Sequence, residues 1–152
     1  MKNFINIVLF EPEIPQNTGN IGRLCVGLDI CLHLIEPLGF DISDKMVKRS
    51  GLDYWKELDL ITYVSWNDFL DKNRDPKILY ASTKPQKTIY ETKFSKGCFV
   101  VFGKETGGLP QWFHNQYKLG GFTIPMPGAV RSINLSNSVA VVAYEAFRQL
   151  SG

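Results

Sequence analysis

Histidine and cysteine are scarce in this sequence, and the few that occur are scattered. Of its 152 residues only two are histidines, His33 and His114, and three are cysteines, Cys25, Cys31 and Cys98. The cysteines form no C-x-x-C pair, and their odd number argues against a disulfide framework. The histidines lie too far apart in the sequence to suggest a ligand cluster. We therefore expect buried free thiols and no metal.

Long apolar runs and a strong net charge are also missing. No segment approaches the ~18 consecutive apolar residues of a membrane-spanning helix. The first residues do not show the charged region, apolar run and cleavage site of a secretory signal. The formal net charge is +2, so any binding of nucleic acid has to come from a local patch. We expect a cytoplasmic protein that does not associate with a membrane.

The common nucleotide-binding motifs are absent as well. Gly19 to Gly22 supply only G-x-x-G, which lacks the glycine pattern of the dinucleotide fingerprint. Gly103-Lys104 resembles the end of a P-loop, but Cys98 replaces its first glycine and Glu105 replaces its Ser or Thr. Because the magnesium-binding hydroxyl is missing, we exclude a Walker-type NTPase. The histidines are also too few for a convincing Ser-His-Asp triad.

What the sequence does contain is an alternation of short apolar runs and helical patterns. The apolar runs predict six strands, at residues 4–10, 31–35, 60–64, 77–81, 97–102 and 122–124. Parallel strands that are buried on both faces have such continuous apolar sequences, and their alternation with helices favours an α/β fold. We predict one domain, residues 1–152, with a mostly parallel sheet and helices on both faces.

Short polar residues mark the places where helices begin. Asn17-Thr18-Gly19 offers an N-cap before a helical pattern, and either Ser43 or Asp44 can cap a short basic helix. Ser65 and Asp68 stand at capping-box spacing, with Asp in place of the usual Glu. These positions predict three helices between the strands.

The last helix, predicted from Asn134 to Leu150, is apolar around nearly its whole circumference. One apolar stripe consists of Leu135, Val139, Val142, Ala146 and Leu150, and Ala140, Val141, Tyr144 and Phe147 extend it. A helix of this kind is buried on more than one side. Either a subunit interface covers the second side, or the helix is sunk between the sheet and the loops.

Two loops rich in glycine and proline dominate the last third of the chain. Residues 102–110 and residues 124–137 each follow a predicted strand, and the second loop leads directly into the last helix. Loops after buried strands commonly bind ligands, because the strand ends fix them and a helix start offers free N–H groups. The two loops therefore predict one composite pocket.

Three segments resemble the motifs of one family. Asn17-Thr18-Gly19-Asn20-Ile21-Gly22-Arg23 is similar to the first motif of the SPOUT class of RNA 2′-O-ribose methyltransferases. Residues 102–110 resemble its second motif and residues 124–137 its third, in the family's order and spacing. Residues 6–15, 35–40, 49–54 and 144–150 look like the subgroup that methylates cytidine or uridine 34 of tRNA. Lys104 departs from this pattern, since it replaces a proline common in the second motif.

The resemblance covers essentially the whole chain and implies a particular fold and activity. The fold is the SPOUT α/β knot, in which the C-terminal segment threads through a loop as a deep trefoil knot, a rare exception to unknotted connections. The partners implied are S-adenosylmethionine as cofactor, the anticodon loop of tRNA as substrate, and a second copy of the chain in a homodimer. The subgroup consists of the catalytic domain alone, so we expect no appended RNA-binding domain.

The resemblance also implies which residues hold the cofactor. Backbone groups of the second and third motifs would cradle the adenine between apolar walls. Thr83, after the fourth strand, would close the third side, although its hydroxyl could equally stabilise a turn. The expected cofactor-binding residues are Thr83, Phe102, Gly103, Glu105, Gly107, Ile124, Pro125, Met126, Ser132 and Leu135.

Arg23 is the residue that the resemblance implies at the centre of the reaction. Because a guanidinium keeps its proton at neutral pH, we expect Arg23 to clamp phosphate and polarise the 2′-hydroxyl. Arg23 could instead take the proton of the 2′-hydroxyl if Ser132 and bound RNA perturb its guanidinium. Asn17 would hold the loop that carries Arg23, either as a plain N-cap or otherwise.

The remaining catalytic candidates are Glu105, Ser132 and Asn134. Glu105 would buttress the second loop, by accepting backbone N–H bonds or pairing with an arginine, or act as proton acceptor. Ser132 and Asn134 could contact Arg23, the cofactor or RNA. Cations expected to bind RNA are Arg23, Lys45, Lys48, Arg49, Lys84, Lys87, Lys93, Lys96, Lys104 and Arg131. Two other functions stay open: 2′-O-methylation of a different RNA, and a non-catalytic RNA-binding module of the same fold.

Overall fold

A parallel sheet of six strands forms the centre of the molecule. The computed structural model describes residues 1–43, 45–50 and 54–152, apart from the side chains of residues 46, 48 and 50. The strands are β1 Ile5–Phe10, β2 Leu32–Ile35, β3 Leu60–Tyr63, β4 Ile78–Ala81, β5 Cys98–Phe102 and β6 Gly121–Phe122. They lie in the order β3-β2-β1-β5-β4-β6, and each neighbouring pair is parallel. The predicted parallel sheet is confirmed.

Helices cover both faces of this sheet. They are α1 Pro15–Leu28, α2 Lys45–Ser50, α3 Trp66–Lys72, α4 Gln111–Gln116 and α5 Leu135–Ser151, with short 3₁₀ turns at Trp55–Glu57, Ile89–Glu91 and Lys118–Gly120. Helices α1 and α5 pack on one face, where α5 buries Val139 and Val142. Helices α3 and α4 pack on the other, through Trp66, Phe69 and Phe113. Both faces of the sheet are therefore covered, as predicted.

Strand β1 shows why the strand sequences consist mostly of apolar residues. Successive side chains of a strand point to opposite faces of the sheet. Ile7 and Leu9 belong to the core beneath α1 and α5, whereas Val8 and Phe10 belong to the core beneath α3 and α4. Because both faces are buried, every position of the strand except Asn6 carries an apolar side chain.

The predicted N-cap at Asn17 is wrong. Helix α1 begins two residues earlier, at Pro15, and its N-cap is Ile14, which makes no side-chain capping hydrogen bond. Proline suits the first position of a helix because its fixed φ is helical and it lacks an N–H that would stay unpaired. Asn17 consequently lies inside the first turn, where it is buried.

The other predicted helix starts fare better. Asn134 caps α5, and its side chain accepts a hydrogen bond from the Ser136 backbone N–H. Ser65 caps α3 by accepting from the Asp68 backbone N–H at 3.1 Å. The Asp68 carboxylate, however, accepts from the Val64 backbone N–H rather than that of Ser65, so the reciprocal half of the capping box is replaced. Asp44 lies outside the described residues.

The cysteines are free and buried, as predicted. Burial raises the pKa of Cys31 to about 12 and also raises the pKa of Cys98, so the thiols stay protonated at neutral pH. In the described part of the chain, no helix is long and apolar enough to cross a membrane. Across the same residues, no three His, Cys, Asp or Glu side chains come together as a metal site.

Candidate functional site

A cavity of about 470 Å³ lies at the carboxyl ends of β4, β5 and β6. Its walls are the loops that follow these three strands, together with the beginnings of α1 and α5. This is the edge at which parallel α/β sheets bind ligands, and the volume falls within the ~300–1,000 Å³ typical of small-molecule sites. The two loops of the last third therefore do form one composite pocket.

Most of the residues expected from the sequence line this cavity. They include four of the five catalytic candidates, namely Asn17, Glu105, Ser132 and Asn134. The expected cofactor-binding residues among them are Thr83, Phe102, Gly103, Glu105, Gly107, Ile124, Met126, Ser132 and Leu135. Pro125 is not part of the lining. It is exposed, whereas Ile124 and Met126 on either side do line the cavity, as expected where an extended backbone alternates its side chains.

The loop after β5 owes its shape to a close approach of two backbone segments. A Cβ atom on Gly103 would lie 2.3 Å from the carbonyl carbon of Gly108 and 2.4 Å from the backbone nitrogen of Leu109. The Gly108 N–H donates to the Lys104 carbonyl at 2.9 Å, and Gly108 has a φ of +63°. Only glycine fits at position 103, because any side chain would push the loop open.

Glu105 ties the first motif to the second. Its carboxylate accepts hydrogen bonds from the backbone N–H groups of Glu13 at 2.8 Å and Ile14 at 2.9 Å, and from the Asn17 side-chain amide at 3.2 Å. Glu105 therefore satisfies N–H groups at the start of α1, which Ile14 cannot do with its own side chain. Of the roles expected for Glu105, its contacts match that of a buttress that accepts backbone N–H bonds.

Glu13 makes the reciprocal connection, and the sequence analysis missed it. Its carboxylate accepts from the backbone N–H of Thr106 at 2.9 Å and from the Thr106 hydroxyl at 2.7 Å. These hydrogen bonds lower the pKa of Glu13 below its usual value. Glu13, which precedes α1, thus binds the loop after β5, and Glu105 in that loop binds the start of α1. We call the four residues Glu13, Asn17, Glu105 and Thr106 the carboxylate clamp. Because its partners lie 93 positions apart, no local sequence pattern signals it.

At the start of α5, the third motif presents an amide and a hydroxyl to the cavity. The Asn134 side-chain oxygen accepts from the Ser136 backbone N–H at 2.9 Å and from the Ser136 hydroxyl at 2.6 Å. Its oxygen therefore serves the helix cap, and its amide hydrogens remain as the donors for a ligand. Ser132 is exposed and also lines the cavity.

His114 is a second residue that the sequence analysis did not place at the site. It lies on α4, lines the cavity and is only 9% exposed. Its ring packs at 81° against Tyr80, with the centroids 5.2 Å apart. Burial and, to a smaller extent, the charge of Lys84 lower the pKa of His114. His114 is therefore a neutral wall residue at physiological pH.

Cations stand along the rim of the cavity. Lys84, Lys104 and Arg131 line it, and the Lys84 ammonium donates to the side-chain oxygen of Gln111 at 3.1 Å. We call these three residues the cationic rim. Lys45, Arg49, Lys87, Lys93 and Lys96 are exposed and do not line the cavity, and the side chain of Lys48 lies outside the described part of the chain.

Arg23 is the one catalytic candidate that a single chain does not bring to the cavity. It is exposed on α1, and its guanidinium carbon lies 4.9 Å from the centre of the Tyr54 ring. Six residues separate it from Asn17, which corresponds to roughly 9 Å along a helix axis. Within one chain, Arg23 therefore does not line the cavity with the other catalytic candidates.

The sheet order and the cavity at its carboxyl edge, with three motifs around it, define a class of RNA-modifying enzymes. The chain belongs to the SpoU rRNA Methylase family, whose profile matches residues 4–144. This match confirms the family-level resemblance drawn from the motifs and shows that the protein is a methyltransferase.

Individual relatives are similar over nearly the whole chain. The tRNA (cytidine(34)-2′-O)-methyltransferase of Saccharophagus degradans is 45% identical over 146 residues, which cover 95% of this chain and 95% of the relative. A solved structure reported as "Structural insights into the 2-OH methylation of C/U34 on tRNA" is 44% identical, with a TM-score of 0.93 and 97% of each chain covered.

A more distant structure shares the fold alone. The SpoU methyltransferase AviRb from Streptomyces viridochromogenes, solved in complex with the cofactor AdoMet, is 22% identical to this chain with a TM-score of 0.85. The match covers 98% of this chain and 58% of AviRb.

Proposed function

We propose that this protein transfers a methyl group from S-adenosylmethionine to the ribose 2′-hydroxyl of nucleotide 34, a cytidine or uridine, in tRNA. The observation that carries the proposal is the carboxylate clamp, because it brings the first and second motifs to the cavity that the third motif also lines. The named relative and the solved structure on C/U34 methylation support the substrate.

The residues present fit the proposed cofactor. The close approach at Gly103 lets the loop after β5 fold back on itself beside the cavity, and Phe102, Ile124, Met126 and Leu135 supply apolar walls. Backbone groups of the loops after β5 and β6 can recognise an adenine edge, while Thr83 closes the side formed by the loop after β4. When bound, S-adenosylmethionine supplies an electrophilic sulfonium methyl. The reaction breaks the S–CH₃ bond, forms an O–CH₃ bond and releases the hydroxyl proton.

The chain itself contributes positioning more than acid–base chemistry. Alignment of two reactants can supply ~7–11 kcal/mol of the barrier reduction. Ser132 and the Asn134 amide are placed to orient the ribose or the cofactor, and Arg131 and Lys104 to hold the flanking phosphates. Arg23 would polarise the 2′-hydroxyl and contact phosphate. As the O–CH₃ bond forms, the positive charge passes to the ribose oxygen and makes its proton strongly acidic, so the proton can leave to solvent without a strong base.

A homodimer would explain both the position of Arg23 and the surface of α5. Val141, Tyr144 and Phe147 are 39%, 56% and 38% exposed, and their spacing of three places them on one side of the helix. We infer that this face, here called the α5 face, meets its copy in a second subunit. Helix α1, which carries Arg23, packs against α5, so Arg23 of one subunit would reach the cavity of the other.

The knot and the domain organisation follow the same proposal. The C-terminal segment containing residues 121–137 would thread through a loop, so that the cavity forms within the knot. Residues 1–152 would act as one catalytic domain in the cytoplasm, with the cationic rim and the neighbouring lysines gripping RNA through its phosphates.

The test is methyl transfer from labelled S-adenosylmethionine to tRNA that lacks a 2′-O-methyl group at nucleotide 34. The expected result is incorporation at that nucleotide by the wild-type protein and loss of incorporation in Arg23→Ala. Incorporation into a different nucleotide or RNA would show that the proposed substrate, nucleotide 34 of tRNA, is wrong. Cofactor binding without incorporation into any tRNA would overturn the enzymatic proposal in favour of a binding module.

A further inference from the structure

Trp112 exposes a large aromatic ring beside the cavity. It is the second residue of α4 and is 48% exposed, whereas the Trp66 indole is buried and bonded to Tyr117. Its ring packs at 66° against Phe10 and at 56° against Phe113, with centroids 6.0 and 5.7 Å apart. These two buried rings hold the indole in place, while half of its surface stays open.

The position of Trp112 connects it to the reaction site. Leu109 and His114, on either side of it in the sequence, both line the cavity. Phe10, which it contacts, is the last residue of β1 and leads into the loop that contains Glu13. The ring therefore lies at the carboxyl edge of the sheet, next to the loops joined by the carboxylate clamp.

Positive charge borders this ring. Gln111, the residue before Trp112, accepts a hydrogen bond from Lys84, which belongs to the cationic rim. A half-exposed aromatic ring close to a cation of this rim suits single-stranded nucleic acid, because cations bind phosphate and the ring stacks on a base. An acidic protein surface would use the cations but would leave the ring without a matching partner.

Trp112 also stays accessible in the proposed dimer. Phe113 places α4 on the sheet face opposite to α1 and α5, whereas the subunit contact is proposed for the α5 face. The indole N–H of Trp112 donates no hydrogen bond within the described residues, so none of them uses its polar edge. Both the ring and its N–H are available to a ligand.

We propose that Trp112 is a stacking platform for a base adjacent to the methylated nucleotide. This inference rests on the proposed function. To reach the cofactor, the target ribose has to leave the stacked arrangement of its loop, which exposes a neighbouring base. Stacking on the indole compensates for this loss and fixes the register of the strand, since RNA loops are recognised largely through unstacked bases on aromatic side chains.

The experiment compares Trp112→Ala, Trp112→Phe and wild type on an anticodon stem-loop RNA. Trp112→Ala should raise Kd for RNA and KM about tenfold, as removal of one stacking ring does, with kcat at saturating RNA and S-adenosylmethionine affinity unchanged. Trp112→Phe keeps a ring and should stay within about threefold of wild type. Leu119→Ala, which removes a 95% exposed apolar side chain without a ring, is the matched control and should change nothing.

RNAs with an abasic nucleotide on either side of the target separate stacking from a structural role. On one of the two, wild type should already show the tenfold loss, and Trp112→Ala should add no further loss. The inference is overturned if Trp112→Ala keeps wild-type Kd and KM, or if its loss is undiminished on both abasic RNAs. Failure of the proposed function is distinguishable, since then the wild-type protein would methylate no tRNA.

Discussion

His33 illustrates how hydrogen bonding dictates the state of a single buried residue. The Asn6 side-chain amide donates to the Gly97 carbonyl, which leaves its oxygen to accept from His33 Nε2 at 3.1 Å. His33 Nδ1 then accepts from the Tyr63 hydroxyl at 2.8 Å, and that hydroxyl accepts from the Asn73 amide. An imidazole protonated at Nε2 satisfies this chain, and burial, which lowers the pKa of His33, favours its neutral form.

The first prediction concerns the stability of the protein in mild acid. Burial lowers the pKa of His33 to about 4, while in the unfolded chain a histidine titrates near ~6.5. The unfolded state therefore binds a proton first, and stability falls as the pH drops from about 6.5 towards 4. Between pH 7 and 4.5 the free energy of unfolding should decrease by about 2 kcal/mol through this residue alone.

Urea denaturation of wild type and His33→Gln at the two pH values provides the measurement. Carboxyl groups with lowered pKa, such as Glu13 and Glu91, also favour unfolding in acid, but they titrate equally in both proteins. The wild type should therefore lose about 2 kcal/mol more than the variant. Equal losses would show that His33 does not remain neutral in the folded state.

A second prediction at this scale concerns the charge of Glu105. Glu105→Gln places an amide N–H₂ against N–H donors of Glu13, Ile14 or Asn17, so at least one hydrogen bond is replaced by a repulsive contact. We expect a loss of about 1–3 kcal/mol in stability and a fall in kcat/KM of about tenfold to a hundredfold, because α1 and the loop after β5 lose their registry.

The matched control is Glu91→Gln. Glu91 also accepts a backbone N–H bond, from Thr88, but it caps a 3₁₀ turn and does not line the cavity. It should lower the melting temperature and leave kcat/KM unchanged once the protein is folded. If Glu105→Gln shows the same pattern as this control, the clamp has no part in the reaction.

At the scale of elements, the loop after β5 depends on two glycines in different ways. Gly103→Ala should weaken S-adenosylmethionine binding about tenfold or more, because overpacking of this size costs about 1–3 kcal/mol. Gly107→Ala should bind nearly as wild type, since its Cβ would meet only the flexible end of the Lys104 side chain at 3.2 Å. Calorimetric titration of both variants with the cofactor measures the difference. Equal affinities would mean that the close approach at Gly103 does not shape the cofactor site.

The elements also show what the sequence could predict. Strand β1 was recognisable because burial on both faces favours a run of apolar residues, interrupted here by Asn6, and α5 because Asn134 and a long periodic pattern mark it. The sequence pattern does not predict helix α4, because its six residues, Gln111–Gln116, are too few to display a helical period.

The site was predictable only in part, for a related reason. Loops after parallel strands converge at one edge, so the composite pocket followed from strand order. The clamp between Glu13 and Thr106, and the burial of His114, arise from tertiary contacts that leave no local pattern. Arg23 was singled out by resemblance, and a single chain gives it no contact with the cavity.

For the whole molecule, the position of Arg23 leads to a prediction about mixed dimers. Arg23→Ala leaves the cavity intact, and Gly103→Ala leaves Arg23 intact. If Arg23 acts across the interface, a heterodimer of these two variants contains one complete site of two and should recover about half of the wild-type activity. If Arg23 acts within its own subunit, the heterodimer should show no more than the small residual activity of the Gly103→Ala site.

Co-expression with two affinity tags and sequential purification isolates the heterodimer for this assay. Each variant homodimer, carried through the same steps at a cofactor concentration near the wild-type Kd, is the control: Arg23→Ala should show no turnover and Gly103→Ala only a small residual turnover. A wild-type protein that sediments as a monomer at assay concentrations would contradict the dimer itself. Tyr144→Glu, on the α5 face, should produce such a monomer.

The sheet order has a consequence for the folding of the chain during its synthesis. Strand β1 pairs with β5, so that Ile5 lies opposite Cys98, and the final helix completes the walls of the cavity. A nascent chain still emerging from the ribosome holds its first motif long before the second and third have been made. The complete cavity can therefore form only late in synthesis, once the third motif and the final helix have been made.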